Sequence, residues 1–132
     1  MNIVSWKESY TVGNEQIDHE HMVFIDIIGR VHEAVIKGKS IDDLKRILDE
    51  LEKYASFHFT SEENIMIDNS FPDVVEHKNE HEKLLTALND KTTEIIRGGE
   101  DPTHLVSFLI DWFVHHTTSL DLQLSKHLAS VA

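Results

Sequence analysis

Cysteine is missing from this chain. That absence excludes disulfides, thiolate zinc sites and cysteine nucleophiles together. Any bound metal must then be held by imidazole and carboxylate, donors that suit iron, zinc, copper or manganese better than a soft ion. Basic residues are scarce as well: 12 Lys and Arg stand against 24 Asp and Glu, a net charge of -12. So acidic a chain lacks the counter-charge that nucleic acid or an anionic membrane surface demands. No apolar run approaches the roughly 18 residues of a membrane span, and the start, MNIVSWKESY, has no basic segment leading into an apolar one. The expectation is a cytoplasmic protein with no membrane or nucleic-acid partner. No internal repeat is visible, and 132 residues suit one domain, 1–132, with an ordinary core.

What the chain has in quantity is histidine, ten in all. His58 and Glu62 lie four residues apart, as do His77 and His81, with a Phe71-Pro72 break between the pairs. On a helix, side chains four apart share a face, so each pair can grip one side of a metal ion. Composition alone makes roughly one His-x-x-x-His pair expected. The pairs gain meaning only from their company.

That company follows from the helical pattern. Residues 1–16 carry Trp6, Tyr10, Val12 and Gly13 without periodicity and read as an extended N-terminal arm covering one end of a core. From Ile17, the positions Phe24, Ile27, Ile28, Val31 and Val35 recur at helical spacing toward Gly38, with His21 on the same side. Ser40 and Asp43 open a second helix, whose stripe of Leu44, Ile47, Leu48, Leu51, Tyr54 and Ala55 extends to His58. Pro72 is expected to start a third, running through Val75, Leu84, Leu85, Leu88 and Ile95 to Gly98-Gly99. Asp101-Pro102 starts a fourth, with Leu105, Phe108, Leu109, Trp112, Phe113, Leu120 and Leu124 apolar. The reading is all-α: an up-down-up-down four-helix bundle over residues 17–127, each helix antiparallel to the next.

Such a bundle collects His21 from the first helix, His58 and Glu62 from the second, His77 and His81 from the third, and His116 and Asp121 from the fourth. Seven side chains are too many for one ion, and two ions need carboxylates to bridge them. Two bridging carboxylates, five imidazoles and one shared oxo or hydroxo group fill eleven of the twelve positions of two octahedral ions. One position is left for a small molecule.

The spacing of His116 and Asp121 is awkward. Five residues turn through about 500°, which on a regular helix leaves the side chains about 140° apart. A local widening such as a π-type turn is predicted between them. Asp26 stands five residues after His21 in the same way, without functional meaning. His115 should face elsewhere; His19, His32, His104 and His127 are read as solvated, and Glu63 as an exposed carboxylate or an acceptor behind a ligand.

With these residues in view, the chain resembles the hemerythrin family, especially its bacterial single-domain branch, the bacteriohemerythrins. The match runs through Trp6, Tyr10-Thr11-Val12-Gly13, Ile17-Asp18-His19-Glu20-His21, His58-Phe59-Thr60-Ser61-Glu62-Glu63, His77-Lys78-Asn79-Glu80-His81, and Trp112 through His116 to Asp121. The resemblance implies a non-haem di-iron centre that binds dioxygen reversibly. His77, His81 and His116 would complete one iron, and His21 and His58 would hold the other with its sixth position open. Glu62 and Asp121 would be the bridges. Two ferrous ions, two carboxylates and a hydroxide sum to about one positive charge if the imidazoles are neutral. A histidine-rich site with a dry apolar wall should let oxygen leave again.

Phe24, Phe59, Trp112 and Phe113 are placed around the open position, where they also serve as core. Thr117 departs from the bulky apolar residue usual after this histidine, and its hydroxyl could admit water or bond the bound ligand. Leu122 replaces a polar residue and suggests packing or a subunit contact. The leading expectation is a binding module: an oxygen carrier, store or sensor. The alternative is a di-iron peroxidase or an enzyme removing nitric oxide or peroxide, and a third reading is a bundle with zinc or no metal. A sensor would need a separate redox or signalling partner.

Overall fold

The computed structural model describes residues 4–131. Its helices are α1 (Glu15–Ile36), α2 (Ile41–Asp68), α3 (Val74–Ile96), α4 (Pro102–His116) and α5 (Leu122–Val131), the last two joined by a π-helical turn at Thr117–Asp121 into one fourth rod. The described residues contain no strand. None of the described helices is long and apolar enough to cross a membrane.

The helix boundaries have local causes. Asn14, Ser40 and Asp101 cap α1, α2 and α4 by accepting the N–H groups of Ile17, Asp43 and Thr103, satisfying donors that have no partner inside a helix. Pro102 sits in the first turn of α4, where a missing N–H costs nothing. α1 and α3 end on Gly38 and Gly98, at φ 64° and 83°. The left-handed turn there lets the following N–H reach back to the Ala34 and Glu94 carbonyls, at 3.0 and 2.8 Å.

The third helix begins at Val74 and not at Pro72. Phe71 turns into the core beside Met66, Ile17 and Leu124, so Pro72 and Asp73 belong to the tight connection. Val74 packs inward and Val75, counted in the apolar stripe, is 70% exposed. α1 begins two residues before Ile17 because Asn14 caps it.

The main core runs along the bundle axis through Phe24, Ile28, Val31, Leu44, Leu48, Leu51, Leu84, Leu88, Leu105 and Leu109. The arm closes the other end. Tyr10, ending a short 3-10 turn at Glu8–Tyr10, meets Phe113 edge-on at 5.3 Å. Asp18 receives the N–H groups of Val12 and Gly13, and Ser125 donates to the Val12 carbonyl at 2.6 Å. Leu122 packs partly buried against the cluster of Val12, Ile17, Met66, Phe71 and Leu124.

Candidate metal centre

Below the aliphatic core, the inward positions of the same helices become polar. His21, His58, Glu62, His77, His81, His116 and Asp121 are all at most 3% exposed. They form two overlapping groups: Glu62, His77, His81, His116 and Asp121; and His21, His58, Glu62 and Asp121. In each group the candidate ligand atoms lie within 4.8 Å of one another.

The two carboxylates divide their oxygens between the groups. Glu62 Oε1 lies 2.7 Å from His77 Nε2 and 3.1 Å from His81 Nε2. Asp121 Oδ1 lies 2.9 Å from His77 Nε2 and 3.1 Å from His116 Nε2. The second oxygens face the other way: Glu62 Oε2 is 3.4 Å from His58 Nε2 and 3.9 Å from His21 Nε2, and Asp121 Oδ2 is 3.0 Å from His21 Nε2. Each carboxylate thus turns one oxygen toward His77, His81 and His116 and the other toward His21 and His58: Glu62 faces three imidazoles and two, Asp121 two and one.

Asp121 reaches the cluster through the π turn. With i→i+5 bonding, a helix takes about one residue more per turn, so residues five apart come closer to one face. Asp26, at the same spacing from His21 on regular α1, is exposed. The run Thr117-Thr118-Ser119 supports the widening: Thr118 Oγ1 donates to the Val114 carbonyl and Ser119 Oγ to the His115 carbonyl, both at 2.6 Å. Hydroxyls that back-bond in this way take up carbonyls that a distorted helix leaves short of partners.

The electrostatics are those of buried imidazoles and carboxylates set against one another. Burial alone would hold His77 and His116 below an ordinary histidine, yet the adjacent Asp121 and Glu62 carboxylates push them up to about 9 and about 10. Asp121 is driven well below the usual carboxylate range: burial opposes this, and His116, His21 and His77 around it prevail. His77 Nε2 also lies only 3.2 Å from His116 Nε2. Glu62 Oε2, fully buried, has no hydrogen-bond partner among the described residues, a cost of about 1–3 kcal/mol for an ordinary polar atom and more for a charged one. The residues therefore fit divalent metal ions on both sides of the carboxylates: imidazole nitrogen and carboxylate oxygen, five and two side chains, converging with a buried oxygen left unpaired.

Aromatic rings wall the cluster. Phe59 stacks on His81 at 4.0 Å, Trp112 stacks on His116 at 4.5 Å, and Phe113 meets His21 edge-on at 5.4 Å. A narrow crevice, too tight to hold a water molecule, adjoins the two-histidine side. Phe24, Trp112, Phe113 and Thr117 line it with His21, His58, His116 and Asp121. Phe59 stacks on His81 of the three-histidine side and also lies 5.7 Å from the His58 ring and 5.6 Å from Trp112, so it stands between the two sides. The outer side of Trp112 forms part of a surface cleft with Glu76, Glu80, His115 and Ser119.

Two carboxylates stand behind the imidazoles. Glu63 Oε2 lies 2.9 Å from His81 Nδ1, the backing role anticipated for it. Glu20, which sequence spacing did not single out, lies 2.8 Å from His58 Nδ1 and is held by Ser61 and Gln16. Because Glu20 and His58 belong to different helices, no periodicity within one segment links them. Tyr54, beside Glu20, is pushed up to about 12 by burial and by that carboxylate. His19, His104 and His115 are exposed and His32 is half-buried. His127, read as solvated, is half-buried, with Nε2 2.8 Å from the Asn69 carbonyl and its ring edge-on to Phe71.

Comparison with known proteins agrees with this geometry. Residues 12–126 match the family model of the hemerythrin HHE cation binding domain. The bacteriohemerythrin of Clostridium acetobutylicum is 26% identical over 88% of this chain and 94% of its own length. That of Methylococcus capsulatus (strain Bath) is 30% identical over 79% of each. A crystal structure of a wild-type hemerythrin superposes with a TM-score of 0.87, at 25% identity over 96% of this chain and 98% of that one. The four-helix architecture, the buried His/Glu/Asp cluster and these matches together place the chain in the hemerythrin family.

Proposed function

We propose that the cluster holds two iron ions, bridged by Glu62, Asp121 and an oxo or hydroxo group, and that the chain binds dioxygen reversibly as a carrier, store or sensor. The observation that carries this reading is the division of the Glu62 and Asp121 oxygens between three imidazoles on one side and two on the other. His77, His81 and His116 would complete the first ion; His21 and His58 would hold the second, with one position fewer filled.

Bound there, a ferrous pair would supply the electrons that oxygen binding requires. The chain's residues decide what can reach it and leave. The narrow crevice lined by Phe24, Trp112 and Phe113 adjoins the two-histidine side, where a diatomic ligand would sit once the walls give way. Buried aromatic walls limit water and proton donors there, which favours release of the ligand unchanged. A sensor of this kind would act in the cytoplasm through a separate redox or signalling partner.

Thr117 gives weight to a second reading. It is 1% exposed and lines the crevice, so its hydroxyl is available beside a bound ligand, as a peroxidase or a nitric oxide- or peroxide-removing enzyme would use. Anaerobic loading with ferrous iron followed by air separates the readings. The carrier reading expects two irons per chain and visible absorption bands that appear in air and fade under argon. Steady consumption of peroxide with a reductant would favour the enzyme, and a colourless product would refute both.

A further inference from the structure

Glu20 and Glu63 each sit behind one imidazole of the cluster, one on each side. The corresponding ring nitrogens of His21 and His77, both Nδ1, have no hydrogen-bond partner among the described residues. Each side therefore has a carboxylate-backed histidine, His58 in one case and His81 in the other. A carboxylate behind an imidazole fixes the proton on Nδ1, aims the Nε2 lone pair at the metal and strengthens it as a donor.

The two carboxylates are not equivalent. Glu63 is a neighbour of Glu62 on α2, and its side chain is 17% exposed. Glu20 reaches His58 from α1, across the helix interface, and its side chain is 11% exposed. Its Oε1 accepts from His58, while its Oε2 accepts from Ser61 Oγ at 3.0 Å and Gln16 Nε2 at 3.2 Å. Its backbone carbonyl accepts from the Tyr54 hydroxyl at 2.9 Å. His58 is one of two imidazoles on its side, whereas His81 is one of three. A change in His58 donor strength therefore moves a larger share of the donation on the side that the crevice adjoins.

We infer that Glu20 is the positioning residue that sets dioxygen affinity, by holding and charging His58, and that Glu63 governs retention of the metal on the three-histidine side. This rests on the di-iron reading above. Glu20→Gln keeps a side-chain oxygen able to accept from His58 Nδ1 and removes the charge. Glu63→Gln does the same behind His81.

The test compares wild type with the two variants, each loaded with ferrous iron without air. Glu20→Gln is expected to keep two irons and bind dioxygen about tenfold more weakly, in the range for loss of a partner behind a ligand. Glu63→Gln is expected to hold dioxygen within about twofold of wild type and to yield iron to a chelator about tenfold more readily. Ser61→Ala, which leaves Glu20 in place with one clamp fewer, should weaken dioxygen binding in the same direction by a smaller factor, and covers the case of an unfolded Glu20→Gln.

In zinc-loaded protein, the His58 Nδ1 proton resonance should lie far downfield and move upfield in Glu20→Gln. An unmoved resonance, dioxygen affinity unchanged in Glu20→Gln, or the same pattern from both glutamine variants would overturn the inference. Failure of the di-iron reading shows earlier and separately, as wild-type protein that takes up no iron pair.

Discussion

Around Leu44, Leu48, Leu51, Leu84, Leu88, Leu105 and Leu109 the helices meet through aliphatic side chains that are at most 4% exposed. Further along the same stripes, on the same faces, the inward positions are His58 and Glu62 on α2, His81 and His77 on α3, and His116 after α4 passes Phe113. One periodicity thus serves two chemistries. At the aliphatic end burial is favourable in itself, at about 25 cal/mol per Å² of apolar surface. At the histidine end burial works against each charged group, and the arrangement is favourable only when opposite charges or cations share the space. The leucine end holds the rods in register, and that register presents the histidines to one another.

The sharpest way to break the comparison is to alter one end and measure the other. Glu62→Ala removes an oxygen from each side of the centre, so metal analysis should find at most one ion per chain, with the bundle's helical circular dichroism retained. Leu88→Ala, at the far end, should lower unfolding free energy by about 3 kcal/mol through its cavity and leave two ions per chain; chemical denaturation and metal analysis on the same sample check both.

Protons should sharpen it next. In metal-free protein His77 and His116, at about 9 and about 10, keep their protons at neutral pH. Burial opposes those protons, and Asp121 and Glu62 outweigh it. Their raised values add stability that is fully present below about pH 6.5 and lost as pH rises through 9 to 10. Metal ligation needs these imidazoles neutral. Loading at pH 7 should therefore release protons, measurable in weak buffer, and the gap in melting temperature between loaded and metal-free protein should widen with pH.

A smaller effect is expected at the π turn. Replacing Thr118 and Ser119 together by alanine removes two exposed back-bonds, about 1 kcal/mol in total. If that cost falls on the loaded state, metal affinity drops about fivefold in chelator competition, while the leucine end keeps its hydrogen-exchange protection. Thr117→Ile is the finest probe. It takes a hydroxyl out of the crevice wall, and the oxygenated absorption should decay more slowly than in wild type.

Much of this was legible in the chain because helical spacing is the same whether the inward residue is Leu48 or His58. The stripe of α2 could be followed from Leu44 to Glu62, and the widening between His116 and Asp121 followed from angular arithmetic. Contacts between helices were less legible. Glu20 is one residue from His21 and turns to another face, so only the α1–α2 packing reveals that it meets His58. Spacing sets Phe59 beside His58, and only the packing of α2 on α3 shows its ring stacked on His81 as well. Pro72 satisfied the rule for a helix start, but burial of Phe71 took it into the connection.

The central claim is that two ions share Glu62 and Asp121 between unequal sets of imidazoles. Anomalous diffraction at the iron edge, from crystals of iron-loaded protein, tests it most directly. Two peaks are predicted, one amid His77, His81 and His116 and one beside His21 and His58; a single peak, or a second lying away from His21 and His58, would contradict it.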